Sequence, residues 1–234
     1  MSKTEDMFNW FDTPQMKKIL PKQKAYDYSA TGIAPESRIM SIGGTSSGKT
    51  QSLLHYLRLS PNLFSRIIIF TKEQEPIYEL LNKAMGNKIE FHYNLAELKT
   101  LKALRQDMNP EERICLVMDD FMVEIASNKY PNVVDYFTRG RKCGITLFLL
   151  SQNFYTIKKQ IRNQITYFLF FKMTSKRDVN LIMSEYDNSN KELIKIYNKI
   201  TETPLQFLKI QATVCDEATK VSRNFTDYIP FSCD

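Results

Sequence analysis

Paired cysteines, long apolar runs and glycine are all scarce in this chain of 234 residues. No stretch approaches the ~18 continuous apolar residues that a membrane-spanning helix needs, so a soluble protein is expected. Cys115, Cys143, Cys215 and Cys233 form no C-x-x-C pair and sit among apolar or turn residues. They are expected to be reduced, which argues against a disulfide scaffold and for a cytosolic-type compartment. The first ten residues carry Glu5 and Asp6 and lack an apolar centre, so no secretory signal is expected. There is no internal repeat and no low-complexity tract.

What is present begins with charge. Thirty-two Lys and Arg stand against 26 Asp and Glu, for a sequence pI near 9.0. A basic balance suits an acidic partner such as nucleic acid, though many soluble proteins share it. Of the seven glycines, three fall in one octapeptide, Gly43-Gly44-Thr45-Ser46-Ser47-Gly48-Lys49-Thr50. It fits G-x-x-x-x-G-K-[ST], is preceded by an apolar strand-like segment (Ile39, Met40, Ile42), and leads into a helical pattern with Leu53, Leu54 and Leu57 on one face. Strand, loop and helix in that order form a phosphate-binding unit. Its backbone N–H groups turn inward around a phosphate and the helix N-terminus adds a positive dipole end. Lys49 is expected to reach the β- and γ-phosphates of ATP and the Thr50 hydroxyl to hold Mg²⁺, with Gln51 closing the binding segment.

The remaining chain alternates strand and helix, which predicts an α/β fold with a mostly parallel sheet. Residues 1–37 read as an extended arm with one short helix near Thr4 to Phe11, its aromatics Phe8, Trp10 and Phe11 covering the chain's own sheet rather than a neighbour. Arg66 to Thr71 reads as a strand buried on both faces, Pro76 to Met85 as a helix and Ile89 to Tyr93 as a strand. Asn94 with Glu97 suggests the capped start of one helix through Leu104 to about Asn109. Ile114 to Phe121 is an apolar strand ending in Asp119-Asp120. In parallel sheets ligands sit at the carboxyl ends of strands, so Asp119 suits the metal-positioning acid. Asp120, one residue on and pointing the other way, suits the polarisation of water. An Asp-rich turn is the plain alternative.

A helix over Asn132 to Lys142 is expected to stop at Gly140 or Gly144. The strand Ile145 to Leu150 then ends in Ser151-Gln152-Asn153, where Gln152 either meets the γ-phosphate and its water or caps the next helix, Thr156 to Asn163. After the strand Tyr167 to Phe171, helices near Lys176 to Tyr186 and Lys191 to Ile200 precede a β-hairpin, Leu205 to Val214 and Lys220 to Phe225. The expected division is an arm (1–37), an ATPase core (38–174) and a C-terminal part of helices and hairpin packed on the core (175–234).

The ordered set of GGTSSGKT, the strand ending in Asp119-Asp120, RGRKCGITLFLLSQN, and Ile161-Arg162-Asn163 resembles the genome-packaging ATPases of large DNA viruses and virophages. These form the poxvirus-type branch of the FtsK–HerA superfamily, and the resemblance spans roughly Arg38 to Phe171. It implies a RecA-like P-loop NTPase core of the ASCE type, with the strand ending at Gln152 lying between the phosphate-loop strand and the acid-bearing strand. It further implies a ring homo-oligomer of five or six subunits that moves double-stranded DNA into a preformed capsid through its portal vertex, in the host-cell cytoplasm or the virion. In that frame Lys49, Asp120 and Gln152 are catalytic and Asp119 serves Mg²⁺. Arg139 or Arg141 reaches into a neighbour's site as a finger. Superfamily members commonly carry Glu in place of Asp120, which makes Glu124 a fallback, and Lys142 stands where viral relatives often show His. Lys158, Lys159 and Arg162 are candidate DNA or trans contacts, whereas Lys176 and Arg177 read better as a solvated helix face. The rivals are a nucleotide-gated scaffold and a small-molecule kinase, the latter lacking a clear lid segment between Gly144 and Phe171.

Overall fold

The computed structural model describes residues 13–15, 25–86, 88–109, 111–127, 129–186, 192–213 and 217–231. Nine strands form one sheet: β1 (Arg38–Ile42), β2 (Arg66–Phe70), β3 (Ile89–His92), β4 (Ile114–Asp119), β5 (Ile145–Ser151), β6 (Tyr167–Phe170), β7 (Leu208–Gln211), β8 (Val221–Arg223) and β9 (Asp227–Tyr228). Their order is β3-β2-β4-β5-β1-β6-β7-β8-β9. All pairings from β3 to β6 are parallel and those from β6 to β9 antiparallel. β5 therefore lies between β1 and β4, the order that the family resemblance implies.

The strands are almost continuously apolar because both faces are covered. Met40, Ile68, Leu116, Leu147 and Phe168 enter one buried cluster, while Ile39, Ile67, Cys115, Phe148 and Leu169 enter another on the opposite face. Helices α1 (Lys49–Leu59) and α2 (Pro76–Ala84) cover the second cluster through Leu53, Tyr56, Leu57, Tyr78 and Leu81. The first is covered by α3 (Leu101–Gln106), α4 (Met122–Ala126), α5 (Asn132–Arg139), α6 (Lys159–Arg162), α7 (Lys176–Ser184) and α8 (Glu192–Thr201). In α1, Tyr56 rather than Leu54 completes the fully buried stripe.

Four local readings change. The single helix expected after Asn94 is a 3₁₀ turn, Leu95–Glu97, followed by α3. Leu98 between them is extended, and Thr100 caps α3 by accepting from the Ala103 N–H. The leucines at 95, 98, 101 and 104 repeat every three residues, a spacing that drifts around an α-helix of 3.6 residues per turn. The helix expected over Thr156 to Asn163 is confined to α6, because Asn153 Oδ1 accepts from the Tyr155 and Thr156 N–H groups in a turn. A short helix α4 follows Asp120 directly, and α9 (Glu217–Lys220) interrupts the hairpin, whose strands β7 and β8 are shorter than expected. α5 ends at Arg139 with Gly140 as its C-cap, and a 3₁₀ turn, Gly140–Cys143, carries the chain on to Gly144, which has φ +72 and where a Cβ would lie 2.6 Å from the Glu112 carbonyl oxygen.

Cys115 and Cys143 are free thiols, and Cys215 and Cys233 lie outside the described residues. The helix expected near Thr4 to Phe11, its aromatics, and Lys191 at the expected start of α8 also lie outside them. The described part of the arm packs on its own chain. Ile33 is fully buried, the Ala34 N–H donates to Tyr167 Oη and the Glu36 N–H donates to Thr146 Oγ1.

Candidate active site

The loop from Gly43 to Gly48 joins β1 to α1 at the carboxyl end of the parallel sheet. It is clamped on two sides: the Gly43 N–H donates to the Ser151 carbonyl at the tip of β5, and the Gly44 N–H donates to the Lys172 carbonyl just past β6. Two of its glycines are sterically required. A Cβ on Gly43 would lie 2.5 Å from both Phe171 Cβ and Ser47 Oγ, and Gly48 has φ +111 at the N-cap of α1. No acidic residue occupies the first turn of α1, so its positive end faces the loop uncompensated. Lys49 Nζ donates to the Gly43 and Gly44 carbonyls at 3.0 and 2.8 Å. Burial lowers the Lys49 pKa, against the opposing pull of Asp119, Asp120 and Glu75.

Beside the loop lies a cleft of about 430 Å³ lined by Lys49, Thr50, Lys72, Asp119, Asp120 and Gln152 among others. A larger groove of about 1220 Å³ opens on the far side of Thr45 and Gln152, toward Lys172, Lys176 and α8. The titratable groups converge in the smaller one. Asp119 ends β4 half-buried, and Tyr78 Oη donates to its Oδ2 at 2.6 Å. Burial raises the Asp119 pKa, the Tyr78 hydrogen bond opposes that, and Glu75 and Asp120 add to it. Asp120 departs from strand geometry with φ +58, a conformation Asp tolerates better than most residues. The alternation that would turn it away from Asp119 therefore does not apply, and both acids line the cleft. Gln152 reaches the phosphate loop, where Thr45 Oγ1 donates to its Oε1 at 3.4 Å. It does not cap α6, whose N-cap is Lys158.

Other expected residues lie elsewhere. Arg139 is exposed at the end of α5, 3.9 Å from Asp135, and Arg141 is exposed on the following 3₁₀ turn. Both precede Ile145, so they stand at the amino end of β5 while the cleft is at its carboxyl end. Six residue steps of strand separate the two ends, roughly 20 Å at ~3.3 Å per residue. Arg38 stands at the same amino end, nearly buried, with one amino group donating to the Thr138 carbonyl at 3.4 Å. Burial and then Arg141 lower its pKa. Arg162 stacks over Phe154 (4.7 Å to the ring centre) and Tyr155 (5.3 Å), and donates to the Ile157 carbonyl. Lys158 is the N-cap of α6 and Lys159 its first residue. Glu124 on α4 pairs with Lys72 at 3.2 Å, so it meets the cleft through that lysine.

Lys72, Glu73, Glu75 and Tyr78 were not singled out from sequence. They lie on and just after the loop leaving β2, and the signal was available: β2 is another buried parallel strand whose carboxyl end runs into Thr71-Lys72-Glu73-Gln74-Glu75.

The donor set suits Mg²⁺ brought by a nucleotide. Among the described residues no group of three or more His, Cys, Asp and Glu forms a metal cage. Mg²⁺ is ordinarily held by one or two protein oxygens together with substrate phosphates and water, and Thr50 and Asp119 in one cleft supply such a pair. Among the described residues no helix is long and apolar enough to cross a membrane.

Solved structures share this fold. The DNA-packaging ATPase B204 from Sulfolobus Turreted Icosahedral Virus superimposes with a TM-score of 0.61 at 16% identity, covering 82% of this chain and 98% of that one. B204 from Sulfolobus turreted icosahedral virus 2 in complex with ATP-gammaS gives 0.57 at 14% identity, with coverage of 82% and 98%. The cytoplasmic domain of the Thermomonospora curvata Type VII secretion ATPase EccC gives 0.52 at 15% identity, covering 86% of this chain and 26% of that one. Among curated proteins no sequence matches. Residues 26–228 match the family described as Poxvirus A32 protein, and with its phosphate loop, acid-tipped β4 and RecA-like strand order the chain belongs to that family, as a P-loop ATPase of the viral genome-packaging kind.

Proposed function

We propose that this protein is an ATP-driven translocase that moves double-stranded DNA into a preformed viral capsid, working as a ring of identical subunits at the viral factory or portal vertex. One observation carries the reading: the chain gathers Lys49, Thr50, Asp119, Asp120 and Gln152 in one cleft while holding Arg139 and Arg141 at the other end of the sheet. Those arginines serve a site only if it belongs to another subunit.

The residues divide the work of hydrolysis. The N–H groups of the loop from Gly43 to Thr50, with Gln51 behind them, grip the α- and β-phosphates, and Lys49 swings from the Gly43 and Gly44 carbonyls onto the β- and γ-phosphates. Thr50 and Asp119 hold Mg²⁺, which neutralises phosphate charge when bound. Asp120 orients the attacking water and accepts its proton as the water oxygen bonds to the γ-phosphorus and the bond to the β-phosphate bridging oxygen breaks, leaving ADP and phosphate. Glu124 is poorly placed for that task because Lys72 engages it. Gln152, in contact with Thr45, senses the γ-phosphate. An arginine from a neighbouring subunit stabilises the transition-state charge.

DNA contact rests on the basic balance and on Lys158 and Lys159 at the start of α6. Arg162 is engaged by Phe154 and Tyr155 and acts by shaping that loop. The test is ATP hydrolysis by the assembled protein with and without duplex DNA, alongside particle imaging with an ATP analogue. Stimulated turnover and a ring threaded by DNA are expected. Unstimulated turnover would favour a nucleotide-gated scaffold, and stimulation by a small phosphate acceptor would favour a kinase.

A further inference from the structure

Two groups are expected to hold the metal, and a third residue holds one of them. Tyr78 is fully buried at the start of α2, edge-on to Phe91 with ring centres 6.0 Å apart. Its hydroxyl donates to Asp119 Oδ2 at 2.6 Å, across 41 residues of sequence. A hydroxyl has one hydrogen to donate, and the phenol directs its own toward Asp119.

We propose that Tyr78 is a positioning residue that fixes the Asp119 carboxylate for Mg²⁺–nucleotide. The Asp119 oxygen held by Tyr78 is Oδ2, which leaves Oδ1 for the metal or one of its waters. α2 enters through Pro76 with Glu75 at its N-cap, and Glu75 makes no side-chain cap bond. The turn that delivers the phenol is thus the same turn that brings Glu75 to the cleft wall.

The inference rests on the ATPase reading, and the experiment separates the two. Binding of a fluorescent ATP analogue is titrated with Mg²⁺, and Mn²⁺ bound to the protein–nucleotide complex is followed by electron paramagnetic resonance. Partners of metal ligands typically contribute tenfold to a hundredfold to metal affinity. Tyr78→Phe, which keeps the buried ring, is expected to raise the metal concentration at half-saturation by roughly that factor, change the Mn²⁺ spectrum, and leave metal-free nucleotide binding unchanged. Tyr78→Leu, which also loses the ring, is expected to show the same metal shift with a lower melting temperature. Unchanged metal dependence and spectrum in Tyr78→Phe, or a metal shift confined to Tyr78→Leu, would overturn that role and leave a packing tyrosine. Wild-type protein whose nucleotide binding ignores metal would instead overturn the ATPase reading itself.

Discussion

At the carboxyl end of the parallel sheet Lys49 lies in the field of Asp119, Asp120 and Glu75, in a cleft walled by the phosphate loop. At the amino end, by contrast, Arg38, Arg139 and Arg141 gather near the start of β5, where Glu36 is already taken by Arg113 at 2.6 Å and Asp135 stands 3.9 Å from Arg139. One end is an acid-rich receptor for a metal-bound triphosphate, and the other is a cationic surface with Arg38 held below its usual pKa. The difference teaches that each end lacks what the other has. Parallel strands force this separation, because every β-to-α turn emerges at one end and every α-to-β turn at the other. A head-to-tail arrangement of identical chains is the simple way to bring the two together, and such an interface closes into a ring or runs on as a filament.

The comparison breaks most visibly at the carboxyl end. Lys49→Ala is expected to bring ATP turnover below detection with the melting temperature retained, and wild-type turnover would sink the phosphate-loop assignment. The amino end should come next: Arg139→Ala or Arg141→Ala is expected to lower turnover by ~10³–10⁵, with the larger loss marking the finger. Mixing that variant with Lys49→Ala subunits should restore part of the activity, since intact clefts then meet intact arginines. Absence of recovery in mixed assemblies would place the arginine's action within its own chain. Gln152→Ala removes one polar contact to the transferring phosphate, and a loss of about 10²–10³ in turnover is expected. A loss no larger than a few fold would demote it to a loop brace for Thr45.

The smallest effect belongs to neither end and serves as a control. Lys209 on β7 is fully buried, donating to the carbonyls of Phe225 and Thr31, with the Tyr228 ring centre 5.0 Å away. Burial lowers its pKa from 10.5 to about 8. Below pH 8 the folded and unfolded chains are both protonated there, and the cost of the buried charge is constant. Between about 8 and 10.5 the unfolded chain holds more protons than the folded one, so stability rises with pH, by on the order of 3 kcal/mol over the whole window. Lys209→Met is expected to remove that rise, read by chemical denaturation from pH 7.5 to 9.5, without altering the effects at either end of the sheet. An identical slope in wild type and variant would show that Lys209 does not titrate there.

Much of the site was legible because its signals are local. The phosphate loop is eight consecutive residues, and Asp119 and Gln152 each end a run of apolar residues that could only be a buried strand. Tyr78 was not legible, since a tyrosine early in a helix looks like core until the turn after β2 carries it to β4. Nor was the geometry of Asp120, because strand alternation assumes that the strand continues, and it ends one residue earlier with a left-handed turn. The leucines from 95 to 104 misled for a related reason. Their spacing of three is compatible with a 3₁₀ turn and a separate short helix, and the choice was made by Leu98 burying itself in extended form.

The sequence by itself determined the phosphate loop, the buried parallel strands and the chemical types at their tips, since these follow from steric freedom at glycine and from apolar continuity along the chain. Tertiary structure alone decided which side chains share a cleft and which stand a strand's length away. That decision depends on the order β2-β4-β5-β1, a choice among long-range pairings that local residue preferences do not encode. The same order that brings Tyr78, Asp119 and Thr50 together holds Arg139 and Arg141 apart from them.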